Sequence, residues 1–243
     1  GHTRVRDALT DGDLDSAVEL FQSRLEDLAK RQLSFIDVQE AATAYDQLDS
    51  PIKRVFYTSS DAILGAGEDG MEVFPRPNPR VNEQLEKVHG IVYGMGSLYT
   101  SIVPSLTLVG VGTRIASRDC PKVMLLNGAH DRETSGMSAA DIVVSVTEHL
   151  NLSHCPQEQM RFSHSASEYC TAVLYPRGTD IEVDEAELHK LGIEHVVAVQ
   201  SNNARNGRGV EYDVEALIQT LLGVMRDQAG CDTLQAADVN PIC

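Results

Sequence analysis

Residues 88–101, VHGIVYGMGSLYTS, constrain the chain more than any other stretch, because a short apolar run breaks at Gly94 and Gly96 into hydroxyl side chains before apolar residues resume. A strand that delivers the chain into a helix through an anion-binding turn is written this way. Glycine lets the backbone turn sharply and lets a guest approach it, while the unpaired N–H groups opening a helix supply donors and a positive dipole end. The pattern predicts donors from the amides that open the helix and from the hydroxyls of Ser97, Tyr99, Thr100 and Ser101. Two glycines alone fit a bare turn equally well. Tyr99 stands where the dinucleotide fingerprint has its third glycine, and no Walker lysine follows.

Around this loop the chain alternates between strand-like and helix-like patterns. Apolar residues at spacings of three and four predict a helix over residues 13–30, and a weaker pattern covers 38–48. Residues 52–59 read as a strand, 65–79 as a loop or small hairpin, 83–87 as the end of a short helix and 90–93 as a strand. Helical turns broken near Pro104 and Gly110 then lead to a buried strand over 122–126 with Asn127 at its carboxyl end. Residues 138–150 form a helix that turns Ile142, Val143, Val146 and Leu150 to the sheet. Strands follow at 171–175 and 195–199. Asp213 caps a last helix that packs through Leu217, Leu221 and Met225. The fold class this predicts is α/β, a three-layer sandwich with a mainly parallel, Rossmann-like sheet. In such a sheet ligands collect outside the carboxyl ends of the strands, so residues 94–97 and 127–134 should meet across one crevice. Residues 1–229 are expected to form a single α/β domain, or the C-terminal part of a larger one, with 230–243 a peripheral tail.

Composition narrows the function. At 243 residues and 42% hydrophobic content the chain can bury a sizeable core, and its net charge of −16 argues against nonspecific nucleic-acid or anionic-membrane binding. No apolar run is long enough for a membrane span and no signal peptide opens the chain, so a soluble protein is expected. Five cysteines without a C-x-x-C pair suit a reducing, intracellular compartment, the cytoplasm or an organelle. His149, His154, Cys155, His164 and Cys170 follow no zinc spacing, and no metal is assigned to them. His130, between Asn127 and Glu133, merits notice because it lies on the predicted site loop. Arg205 and Arg208 in NNARNGRG could close over phosphate oxygens, although a solvated surface loop is the simpler reading.

Past the loop the residues become specific to a family. Gly94, Gly96, Ser97, Leu98, Tyr99, Thr100, Ser101, Ile102, Pro104 and Leu106, then Lys122, Val123, Asn127, Glu133, Thr134, Gly136, Ser138 and Asp141, match a pattern in both order and spacing. That pattern is G-P-G-S-L-Y-T-S-I-x-P-x-L, a K-V-Y-x-C-N strand, and G-E-T-D-G before a helix. It resembles the 2-phospho-L-lactate transferase and gluconeogenesis-factor (CofD-like) family, most closely over residues 88–150. Met95, Ser135 and Ile142 depart from it, occupying positions of a proline, an acid and a histidine. The family's N-terminal G-G-G-T-G loop and aspartate-rich turn are not found. The chain is therefore read as a fragment, as a protein with further segments before Gly1, or as a degenerate member.

The resemblance implies a phosphate-containing ligand held by Gly94, Gly96, Ser97, Leu98, Thr100, Ser101, Asn127, Arg132, Glu133 and Thr134. Arg132 would offset charge, and Asn127 would meet a sugar hydroxyl, a base edge or a phosphate oxygen. Glu133 would hold a divalent cation or a ligand hydroxyl, with magnesium accompanying a nucleotide. Asp131 and Asp141 are weaker candidates of the same kind. The expected function is that of a regulatory protein binding a nucleotide or sugar nucleotide of the UDP-N-acetylglucosamine kind, since Leu98 to Ser101 resemble the regulator branch. One alternative is a transferase moving a phospholactyl-type group from a guanylylated donor to a deazaflavin alcohol, which the substitution at Ser135 weakens. Another is a non-catalytic structural subunit. No catalytic residue is singled out. The expected partner is a small molecule, with a second copy or another protein completing the crevice as a further expectation.

Overall fold

The apolar runs of the sequence become the inner strands of a parallel sheet, and the helical patterns between them become its crossovers. The computed structural model describes residues 48–59, 72–153, 163–204 and 209–228. Strands β1 (Tyr57–Thr58) and β2 (Glu72–Val73) form a small antiparallel pair. Helix α1 (Pro79–Leu85) follows, with Asn78 accepting from the Arg80 amide and Pro79 in the first turn, where its missing N–H costs nothing. Next come β3 (Ile91–Tyr93), a π-helical turn (Leu98–Ile102), α2 (Val103–Leu106) and α3 (Val111–Ala116). Strand β4 (Lys122–Leu125) leads to α4 (Ala139–Asn151) and α5 (Ala166–Tyr169). Then β5 (Ala172–Pro176), α6 (Glu185–Lys190), β6 (His195–Val199), the hairpin strands β7 (Ser201–Asn203) and β8 (Val210–Tyr212), and α7 (Val214–Gln228) complete the order.

The main sheet has four strands in the order β3-β4-β5-β6, all parallel. Its register places Ile91 against Lys122, Val123 against Ala172, and Ala172 against His195. Because each strand follows its sequence neighbour in the same direction, a common crossover handedness puts the intervening helices on one face. Pleating then divides the strand residues between two cores. Tyr93, Met124, Leu126 and Val173 pack with α2 to α6, through Val103, Ile115, Val143, Val146, Leu150 and Leu188. Val123, Leu125, Ala172 and Leu174 pack on the other face with Val199, Tyr212 and Val224, joined by Leu217, Leu221 and Met225 of α7. This is the three-layer α/β arrangement anticipated from the sequence, and β4 is buried at every position because both of its faces are covered.

Local chemistry explains most boundaries. Helix α4 begins with a reciprocal capping box, Ser138 accepting from the Asp141 amide and Asp141 from the Ser138 amide. Asp213 accepts from the Ala216 amide at the start of α7, as expected, and that bond holds its carboxyl below the usual range. Gly112 of α3 lies so close to α4 that a Cβ there would sit 2.2 Å from the Leu150 carbonyl oxygen.

Residues 52–59 differ from expectation, with only Tyr57–Thr58 as strand. The neighbouring backbone is satisfied elsewhere, since the Val55 amide donates to His149 Nε2, and the Tyr57 hydroxyl ties the segment to the Pro104 carbonyl. Among the described residues no helix is long and apolar enough to cross a membrane. The helix expected over 13–30, all but the last residue of that expected over 38–48, residues 65–71, His154, Cys155, Arg205, Arg208 and the tail 230–243 lie outside the described residues. So do the expected limits of the domain.

Candidate functional site

Residues 94–97 leave the carboxyl end of β3, and Asn127 follows Leu126 at the carboxyl end of the adjacent β4. The two meet: Asn127 Nδ2 donates to the Gly96 carbonyl at 3.2 Å across 31 residues of sequence. The Asn127 carbonyl in turn accepts from Thr179 Oγ1 at 2.8 Å, so the turn after β5 braces the turn after β4. Gly96, Leu98, Asn127 and Thr134 share a small pocket with Tyr93, Ile102, Met124, Ile142 and Ile181. Its enclosed volume of about 20 Å³ suits a single water, so a larger guest would rest at its mouth.

Gly96 is needed for space and not for its dihedral freedom. The chain bends at Met95 and Gly96, yet neither Gly94 nor Gly96 has a positive φ. A Cβ at Gly96 would press against Ser101 Cβ at 3.2 Å, whereas one at Gly94 would have no described heavy atom within 4 Å. Gly128, one residue past Asn127, could not carry a Cβ, because the Val210 carbonyl oxygen of β8 would lie 1.7 Å away. Tyr212, also on β8, donates toward the carbonyls of Leu126 and Leu174, at 2.8 and 2.7 Å. Burial pushes this phenol's pKa up, so it stays a donor and ties together the ends of β4 and β5.

Glu133 occupies a place the sequence did not suggest. It is buried, and its Oε2 accepts from the amides of Tyr99 at 3.0 Å and Thr100 at 3.2 Å. Ser97, the residue at the helix cap, makes no side-chain capping bond. A carboxylate 34 residues away thus supplies the cap that a local serine or aspartate usually provides. The Ser97 carbonyl accepts from Ser101 and Ile102, and the latter bond defines the π turn. The amides of Gly96, Ser97 and Leu98 find no acceptor among the described residues.

Asp131 organises the loop that carries Glu133, its Oδ1 accepting from the Glu133 amide, the Thr134 amide and the Thr134 hydroxyl. It folds its own loop through that one oxygen, and Asp141 is engaged in the α4 cap. Thr134 is buried, while Arg132, Thr100 and Ser101 are exposed. His130 is half-buried, with Nδ1 unpaired among the described residues. The histidines and cysteine of the group dismissed as a metal site go to separate partners. His149 bonds Val55 and Ser145, His164 bonds Glu168, and the Cys170 thiol points at the Ala172 carbonyl. Among the described residues no three His, Cys, Asp or Glu side chains converge as a metal set. Thr179 and Tyr212 went unremarked in the sequence, because nothing local marks a hydroxyl that braces a turn many residues away.

Residues 10–221 match the sequence model of the 2-phospho-L-lactate transferase CofD family. The chain belongs to the CofD family. Among curated CofD-like relatives, an uncharacterized protein of Saccharomyces cerevisiae is 28% identical over 72% of this chain and 38% of its own length. A gluconeogenesis factor of Listeria monocytogenes is 27% identical over 63% of this chain and 46% of its own. That of Bacillus subtilis is 23% identical over 62% and 47%. The chain therefore spans less than half the length of these relatives. A crystal structure of a Bacillus halodurans protein aligns with a TM-score of 0.49 at 21% identity, over 60% of this chain and 47% of that one.

Proposed function

We propose that this CofD-family chain contributes a binding surface for a phosphate-containing ligand, a nucleotide or sugar nucleotide, and that its role is regulatory. The observation that carries the reading is the meeting of Gly96 and Asn127 at the carboxyl ends of two adjacent parallel strands, where open α/β sheets bind ligands. Three features support it. The amides of Gly96, Ser97 and Leu98 lack described acceptors, Gly94 is bare with open space beside it, and several curated relatives are named gluconeogenesis factors. Ser97, Thr100 and Ser101 add hydroxyl donors at the same loop, and Arg132 adds charge from the loop opposite.

Glu133 narrows the seat. Its carboxylate already takes the Tyr99 and Thr100 amides, so the ligand's phosphate belongs on residues 96–98. Magnesium is proposed only as the counter-ion of the nucleotide, because the described residues bring no metal-binding set of their own. A transferase role is the weaker reading. Asp131 already folds its loop through Oδ1, Asp141 is engaged in a helix cap, and Ser135 replaces an acid, which weakens the case for a reacting centre held by carboxylates.

Equilibrium dialysis against UDP-sugars, GDP and GTP, with and without magnesium, tests the proposal. At ligand a hundredfold above Kd the protein gains about 2.7 kcal/mol of stability, which thermal denaturation detects. Absence of binding to every member of the panel contradicts it.

A further inference from the structure

We infer that Asn127 reads the uncharged part of the ligand, accepting at Oδ1 a hydrogen bond from a sugar hydroxyl or a base N–H. The inference rests on the nucleotide reading above and specifies what one side chain adds to it. From sequence alone the carboxamide could have faced a phosphate with its nitrogen or a hydroxyl with its oxygen. The structure removes that freedom. The Gly96 carbonyl only accepts, so the group 3.2 Å from it must be the amide nitrogen, and the oxygen is turned to the other side. The backbone cannot easily re-aim the side chain, since Thr179 Oγ1 holds the Asn127 carbonyl.

Oδ1 has no partner among the described residues, and it is not one of the polar atoms sealed from solvent without a partner. Asn127 lines the pocket beside Gly96 and Thr134, and the inference assigns its oxygen to a guest at that crevice. An acceptor-only oxygen repels the oxygens of a phosphate diester, which have no proton to give, and is satisfied by a hydroxyl or N–H. The loop amides and Asn127 therefore divide the ligand, the amides taking its charge and the side chain taking its nucleoside.

The test compares inorganic diphosphate, ribose 5-phosphate and UDP on the wild-type protein and on Asn127→Ala, with melting curves to confirm folding. The variant loses the Nδ2 bond to the Gly96 carbonyl as well, which diphosphate binding reports, and loss of the Oδ1 hydrogen bond weakens UDP binding about five- to tenfold beyond that. A matching loss for ribose 5-phosphate assigns the donor to the sugar, and no loss assigns it to the base; both support the inference. Equal loss for UDP and diphosphate, or no loss for either, overturns it and leaves the binding site itself standing. Failure of the wild-type protein to bind any of the three probes overturns the nucleotide reading and this inference together. Should Asn127→Ala not fold, the side-chain amide signal of Asn127 in the wild-type protein serves. It must shift with UDP and not with diphosphate, and equal shifts overturn the inference.

Discussion

At the residue scale, His149 shows how one buried side chain couples distant segments. Its Nδ1 lies 2.7 Å from the Ser145 carbonyl and so carries the proton, which leaves Nε2 as an acceptor for the Val55 amide at 3.1 Å. The Tyr99 ring packs edge-on against the imidazole, and the Tyr99 hydroxyl accepts from Ser145 Oγ. A second proton at Nε2 would face the Val55 N–H. Burial sets the imidazole pKa below its ordinary value; Ser145 and Glu148 oppose this, and Arg54 reinforces it. The unfolded chain thus takes up the proton first as pH falls. Stability from neutral His149 is complete above about pH 6.5 and is lost as pH drops from there toward the lower folded value. Denaturant unfolding measured between pH 8 and 5 should show this loss, at most about 1.4 kcal/mol per pH unit, and His149→Gln should flatten the slope. An unchanged slope in the variant would show that other groups set it. None of this was legible in the sequence, where His149 entered only as one of a group of histidines and cysteines that follow no zinc spacing. The partners of a buried side chain come from elements far away in the chain.

Among the elements, close packing of α3 on α4 is the most exacting contact. Gly112 donates its amide to Ser153 Oγ at 2.9 Å, and a Cβ would collide with both that oxygen and the Leu150 carbonyl. Gly112→Ala should therefore destabilise the fold by roughly 1–3 kcal/mol, measured by urea unfolding; a neutral effect would mean the two helices separate freely. Strand β4, α4 and the Asp213-capped α7 were readable in advance because each carries its own signal: a continuous apolar run, a capping serine before a periodic stripe, and an aspartate cap. Helix α6 and the β7–β8 hairpin went unrecognised. The first is six residues long with too short a stripe to count, and the second pairs an all-polar strand, Ser201–Asn203, with Val210–Tyr212. The segment at 52–59 misled because β-branched and aromatic residues are also what a side-chain-latched strap needs in order to pack.

Seen whole, the molecule's two cores hold the strand ends in place, and the site exists because the sheet brings turns from β3, β4 and β5 together. The sequence disclosed the family and the meeting of the two strand-end turns through the spacing of residues 94–106 and 122–141, and of the pocket's lining it named Gly96, Leu98, Asn127 and Thr134. It did not disclose how they divide the work. Glu133 caps the helix from within, Asp131 folds its own loop, and Gly96 is small because Ser101 lies against it. Gly94 is different, since no described atom and no positive φ requires a glycine there, and under the proposed function a ligand would supply the reason. The most direct measurement is the paired stability and nucleotide affinity of Gly94→Leu. The account predicts folding stability within about 0.5 kcal/mol of the wild-type protein and binding of UDP-sugars or GDP weakened at least about tenfold. Undiminished affinity in a folded variant would place the ligand elsewhere and contradict it.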